Sequence, residues 1–156
     1  MNKSFIKKIV TIAEVEEISK DISSLHNEDH EKYNHALGMK HDVDLITKSL
    51  SHESLLIWNI HVWAHFNGQK WDGIFIGMIR KSEKFNKKGM DEYLWFSKNS
   101  NSGIKLYKTA LSFAKDNGCH YLNCCLLASN PMADKLRKFY KSQGFEKDTE
   151  TFMKKL

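Results

Sequence analysis

Apolar residues at Ile12, Val15, Ile18, Ile22 and Leu25 recur at spacings of three and four, the pattern of an amphipathic helix. The stretch before it, Phe5 to Ile12, reads as a first strand. A polar, His-rich stretch from His26 to His41 follows, helical through Glu31 and Tyr33 and stopped at Gly38, and then a short helix from Asp42 to Leu50. Leu55 to Phe66 and Lys70 to Arg80 are rich in β-branched and aromatic residues and flank Asn67-Gly68, so they predict a β-hairpin. A polar loop, Lys81 to Gly89, leads to a third core strand, Met90 to Ser97. The pattern then alternates. A small-polar loop, Lys98 to Gly103, precedes a helix from Ile104 to Asn117 capped by Gly118. His120 to Ala128 is a buried strand, and a helix running to Gln143 follows, with Ser129 or Asn130 as its cap and Pro131 in its first turn. Gly144 ends that helix, and Phe145 to Lys155 closes the chain as a strand or hairpin. The order is β, α, α, β, β, β, α, β, α, β: an antiparallel meander leading into a β-α-β crossover.

At 156 residues the chain is the size of a single domain, expected to span 1–156. A chain of this length buries enough surface to fold without disulfide or metal. Its apolar share of 41% and charged share of 28% are those of a globular protein, which excludes fibrous and disordered classes. No apolar run has spanning length and the basic start lacks the core of a signal peptide, so no membrane is expected as a partner. Cys119, Cys124 and Cys125 lack metal-knuckle spacing and read as buried thiols, which points to a reducing cytoplasm.

The net charge of +5 comes almost entirely from lysine, with Arg80 and Arg137 the only arginines. Arginine is the usual reader of guanine edges, so nucleic acid is disfavoured as a partner. A diffuse positive field still attracts an anionic ligand.

The element order, with a polar loop between Ser97 and the following helix, resembles the GNAT family of acyl-CoA-dependent N-acetyltransferases. The stretch SGIKLYKTALSFAKDNGCHYLNCCLL is similar to that family's cofactor helix and next strand, and NPMADKLRKFYKSQGF to its N…A…Y…GF segment. The ending TETFMKKL is similar to the closing strand of small members, including phage-encoded ones. The likeness in element order covers most of the chain, and the specific part runs from Glu92 to Leu156. It implies an α+β, single-domain GNAT (acyl-CoA N-acyltransferase) fold: a mixed, mostly antiparallel central sheet flanked by helices on both faces. The implied activity is acetyl transfer from acetyl-CoA to a primary amine on a small-molecule or protein acceptor. A homodimer stays among the open oligomeric states.

The resemblance also implies a site. A diphosphate is held best by N–H groups at a helix N-terminus, where the backbone dipole is positive. The family places a Gln/Arg-x-x-Gly-x-Gly/Ala loop there. One register sets Lys98 in the Gln/Arg place, Asn101 in the first Gly place and Gly103 in the second, and puts Leu106 and Tyr107 on the family's apolar pair. Asn tolerates the left-handed backbone such a loop requires. The other register takes Gly103 as the first Gly, between Ser100 and Lys105. The cofactor set is then Trp95, Phe96, Ser97, Lys98, Asn101, Ser102, Gly103, Ile104, Lys105 and Asn130, with a strand N–H near Trp95 to Ser97 as oxyanion donor. Tyr140, four before Gly144, matches the tyrosine that protonates the leaving thiolate. Asn130 precedes Tyr140 by ten residues where the family's spacing is seven. Glu92 on the third core strand is the expected base, acting through water, with Asp91 and His120 behind it.

Two other constellations have simpler readings. His26 with His30, and His61 with His65, are four apart, but no third ligand completes a metal set, and they read as surface or hairpin histidines. Trp58, Trp63, Trp71, Trp95, Phe66 and Phe96 read as core aromatics rather than a base-stacking platform. Against the enzyme reading stands a non-catalytic relative that keeps the fold, has a degraded CoA loop and binds a protein.

Overall fold

The computed structural model describes residues 3–30, 59–83, 86–126 and 130–148. These fall into two compact units, one of residues 3–26, 59–83 and 86–124, the other of 27–30, 125–126 and 130–148. The first carries a five-stranded sheet in the order β1-β2-β3-β4-β5. Its strands are β1 (Phe5–Ile9), β2 (Ile60–Phe66), β3 (Trp71–Ser82), β4 (Lys87–Ser97) and β5 (Tyr121–Asn123). β1 with β2, β2 with β3 and β3 with β4 are antiparallel, and β5 joins β4 in parallel. The helices are α1 (Ile12–His30), α2 (Ser100–Asp116) and, in the second unit, α3 (Ala133–Ser142).

Strand alternation sorts the core onto the two faces of the sheet. Val62, Ala64, Ile74 and Ile76 face Val15, Ile18 and Ile22 of α1. Trp63, Phe75 and Ile79 face Leu106, Ala110 and Ala114 of α2. Buried Trp71 anchors α1 further, its backbone N–H donating to Asp21 Oδ2 (3.0 Å) and its indole to Glu17 Oε1 (3.2 Å). The predicted mixed, mostly antiparallel sheet with helices on both faces is therefore the observed one. Among the described residues no helix is long and apolar enough to cross a membrane.

Several boundaries differ from expectation. The first strand stops at Ile9, because Thr11 and Glu14 form a capping box that starts α1 at Ile12. Thr11 Oγ1 accepts from the Glu14 N–H (3.3 Å) and Glu14 Oε2 accepts from the Thr11 N–H (3.0 Å). The expected polar loop Lys81 to Gly89 shrinks, since β3 runs to Ser82 and β4 begins at Lys87. β5 is three residues long, so Cys124 is half-buried and Cys125 exposed rather than both buried. Residues 145–148 form no strand, and the rest of the expected closing strand lies outside the described residues, as do the short helix Asp42 to Leu50, Gly38 and Trp58.

The capping box carries a pH dependence. An ion pair with Lys7 (2.8 Å), then the N–H donors of Val10 and Thr11, pull the Glu14 carboxyl from its ordinary 4.5 to about 2. A depressed carboxyl stabilises the fold above its unfolded pKa, and the contribution is lost as pH falls from about 4.5 to about 2. Glu14→Gln should therefore melt below wild type at pH 7, and the gap should close as both are acidified toward pH 2. A gap of constant size in thermal melts across that range would show that the charge contributes nothing.

Candidate functional site

The site begins with a break in β4. Ile76 pairs with Leu94 but Gly77 pairs with Glu92, so Tyr93 is an extra residue, a β-bulge that stands 57% exposed. The bulge reverses the strand's alternation. Before it, Met90 faces α2; after it, Trp95 faces α2 while Leu94 and Phe96 turn to the α1 side. Beside this break β5 leaves the sheet. Its last pair is Asn123 with Asp91, so from Glu92 to Ser97 the outer edge of β4 has no strand beside it among the described residues.

That end of β4 leads directly into α2. The helix starts earlier than the sequence predicts, at Ser100 rather than Ile104, and Asn99 is its N-cap, accepting from the Ser102 N–H (2.9 Å). The Gly103 N–H donates to the Asn99 carbonyl (3.1 Å). By helix geometry the N–H groups of Ser100 and Asn101 are left without intrahelical acceptors, at the positive end of the helix dipole. The connection is only Lys98 and Asn99, and it is densely bonded. Ser97 Oγ donates to the Asn99 carbonyl (2.6 Å) and pairs with Ser102 Oγ (2.6 Å), and the Lys98 N–H donates to the Asp72 carbonyl (2.9 Å).

Two expectations for this loop are corrected. Asn101 does not take a left-handed backbone; it lies in the first helical turn. Gly103 is likewise helical and buried, and a Cβ there would meet Ser97 Cβ at 3.3 Å and Trp95 Nε1 at 3.7 Å. Its lack of a side chain lets α2 sit close on β4. Lys98 and Lys105 are exposed, and Ile104 is half-buried. Trp95 stacks on buried Tyr107, ring centroids 5.7 Å apart, and burial pushes the Tyr107 phenol up.

Glu92 is half-buried at the last position before the bulge, with Asp91 next to it bound to Arg80 and Asn123. His120 is exposed, its N–H donating to the Lys88 carbonyl (2.8 Å). Tyr140 and Asn130 belong to the second unit. Asn130 Oδ1 accepts from the Met132 N–H (2.8 Å), closing the turn before α3, whose own N-cap, Met132, has no side-chain bond. Tyr140 lies in the last turn of α3. The Phe145 N–H donates to its carbonyl (3.0 Å), the Gly144 N–H donates to Lys141 (3.1 Å), and Gly144 has φ +79°. This is a Schellman stop, with the Tyr140 and Phe145 rings 5.0 Å apart as its apolar contact. The Y-x-x-x-G-F spacing thus has a local structural cause.

Of the histidines at four-residue spacing, His61 and His65 lie on β2 of the hairpin, as expected, and the side chains of His26 and His30 lie outside those described. His61 is half-buried, 4.6 Å from the Phe113 ring, and burial, then Lys8 and Lys88, lower it to about 4. His65 is buried and bonded to Asp72. Among the described residues no group of three metal-ligating side chains occurs. Trp63 and Trp71 are core, as expected.

No family model and no curated protein matches the sequence. Solved structures match it over its whole length. A possible acetyltransferase from Clostridium difficile 630 is 14% identical with a TM-score of 0.67, covering 99% of each chain. An aminoglycoside acetyltransferase from an uncultured soil metagenomic sample is 10% identical with a TM-score of 0.72, again over 99% of each. A ribosomal-protein-alanine N-acetyltransferase from Brucella melitensis biovar Abortus 2308 is 10% identical with a TM-score of 0.68, over 98% of this chain and 99% of that one. The fold is that of the GNAT acetyltransferases. Within the GNAT fold of this chain, sequence reasoning missed the cap and its support, Asn99 and Asp72. The signals were present: an Asn three residues before Ser102, and a charged residue inside an apolar strand next to the Asn67-Gly68 turn.

Proposed function

We propose that the chain, acting as a single domain over 1–156, is an N-acetyltransferase that moves an acetyl group from acetyl-CoA to a primary amine. The observation that carries this reading is the continuity of the end of β4, Glu92 to Ser97, beyond its last pair with β5, with the start of α2, where helix geometry leaves the Ser100 and Asn101 N–H groups without intrahelical acceptors. An extended pantetheine arm suits the first and a diphosphate the second. Strand N–H groups near Trp95 to Ser97 would face the carbonyl oxygen as it gains charge. Glu92 would take the amine proton through a water as the nitrogen attacks the carbonyl carbon. Tyr140 would give its phenolic proton to the sulfur as the C–S bond breaks. The acceptor is a small molecule or protein amine, and the setting is the cytoplasm.

A binding module without catalysis is the second reading. It draws on the loop: the Ser102 and Gly103 N–H groups are both spent internally, leaving fewer donors for phosphate. Thermal melts with CoA separate the two. At a hundredfold excess over Kd, a binder gains about 2.7 kcal/mol, or roughly 5–10 °C for a chain of this size. No shift at millimolar CoA would favour the module.

A further inference from the structure

Asp72 is 3% exposed, and it is the extra residue of a second bulge: His65 pairs with Gly73 and Phe66 with Trp71. Burying a carboxylate is costly unless its oxygens are filled. Here Oδ1 accepts from His65 Nδ1 (2.6 Å), and Oδ2 accepts from Asn99 Nδ2 (3.0 Å) and Asn67 Nδ2 (3.4 Å). With the carboxylate as acceptor, His65 Nδ1 is the donor of this bond, and His65 Nε2 is buried with no hydrogen-bond partner. An apolar pair of similar volume would avoid both the buried charge and the orphaned nitrogen. The arrangement gains one thing apolar groups cannot give, a fixed amide at Asn99. That amide is bonded at both ends, Nδ2 to Asp72 and Oδ1 to the Ser102 N–H at the first turn of α2.

Resting on the acetyl-CoA reading above, we propose that Asp72 is a positioning residue for the cofactor: through Asn99 it fixes the N-terminal turn of α2 in the orientation that receives the CoA diphosphate. Asp72 does not touch the cofactor. A bare negative charge near a diphosphate would weaken binding, so this role and a simple charge effect have opposite signs.

The test is calorimetric titration of CoA into four variants. Asp72→Ala breaks the link. Asn99→Ser keeps a cap acceptor for Ser102 but loses the amide that reaches Asp72. Each should weaken CoA binding about tenfold, the value of one hydrogen bond to a charged group, and the double variant should lose no more than either alone. Asp72→Asn keeps an oxygen for Asn99 and can offer its NH₂ to His65 in the other tautomer, so it should restore affinity to within about twofold of wild type. A folded Asp72→Ala protein with unchanged or tighter CoA binding overturns the proposal. So do additive losses, and so does Asp72→Asn as weak as Asp72→Ala, which would mark a general structural role. If Asp72→Ala fails to fold, the exposed Asn99→Ser variant decides alone, and full affinity there overturns the proposal. Wild type that binds no CoA removes the acetyl-CoA reading itself, before any variant is compared, and this role with it.

Discussion

Gly103→Val is expected to lose both stability and CoA affinity, through packing rather than through contact with phosphate. The position has no positive φ and does not require glycine for its backbone. It requires closeness. A single Cβ already approaches Ser97 Cβ to 3.3 Å, and valine adds two methyl groups to it. Ser97 cannot swing aside freely, because its hydroxyl is bonded to the Asn99 carbonyl and to Ser102 Oγ. The first turn of α2 must therefore lift from β4. Overpacking of this kind costs ~1–3 kcal/mol, which urea melts will read. The same lift displaces the Ser100 and Asn101 N–H groups, so CoA titration should show at least about a tenfold loss. Gly103→Ala is the control: its tight contact is offset by up to about 1 kcal/mol of helix propensity, and it should stay near wild type. A folded Gly103→Val protein with wild-type CoA affinity would remove the start of α2 from the cofactor site.

The elements most readable from the sequence were those whose local chemistry and packing agree. The Asn67-Gly68 turn is built as expected, with Asn67 Oδ1 accepting from the Gln69 and Lys70 N–H groups and Gly68 at φ +101°. Gly118 and Gly144 end α2 and α3 at φ +70° and +79°, each closing a Schellman stop. The start of α2 was not readable by propensity, since Ser100, Asn101, Ser102 and Gly103 are all poor helix formers. That turn forms because Asn99 caps it and because Ser102 and Gly103 are buried against β4, a tertiary cause no local pattern carries. The Tyr93 bulge left no trace in the hydrophobic pattern: Leu94-Trp95-Phe96 is a continuous apolar run because the sheet is covered on both faces there, as it is at Ile74-Phe75-Ile76. Asp72 escaped notice because its partners, His65 and Asn99, lie seven and 27 residues away in sequence and meet only across the sheet.

The catalytic expectation rests on Tyr140, and the structure sharpens how it must be tested. Its ring is the apolar contact of a helix stop, packed on Phe145 at 5.0 Å and beside Phe139 at 6.0 Å. Tyr140→Ala would break that contact and confound stability with chemistry. Tyr140→Phe removes only the hydroxyl, and its ring can still meet Phe145, so the melting temperature should change little. If the phenol protonates the departing thiolate, turnover should fall about 10²-fold, the lower end of general-acid effects. CoA affinity should fall far less, because the lost interaction belongs to the transition state. Acetyl-CoA hydrolysis, or transfer to whichever amine proves to be accepted, supplies the rate. Equal turnover in wild type and Tyr140→Phe would leave Tyr140 with its structural role alone: the Y-x-x-x-G-F spacing would then mark where α3 ends and nothing about how the thiolate leaves.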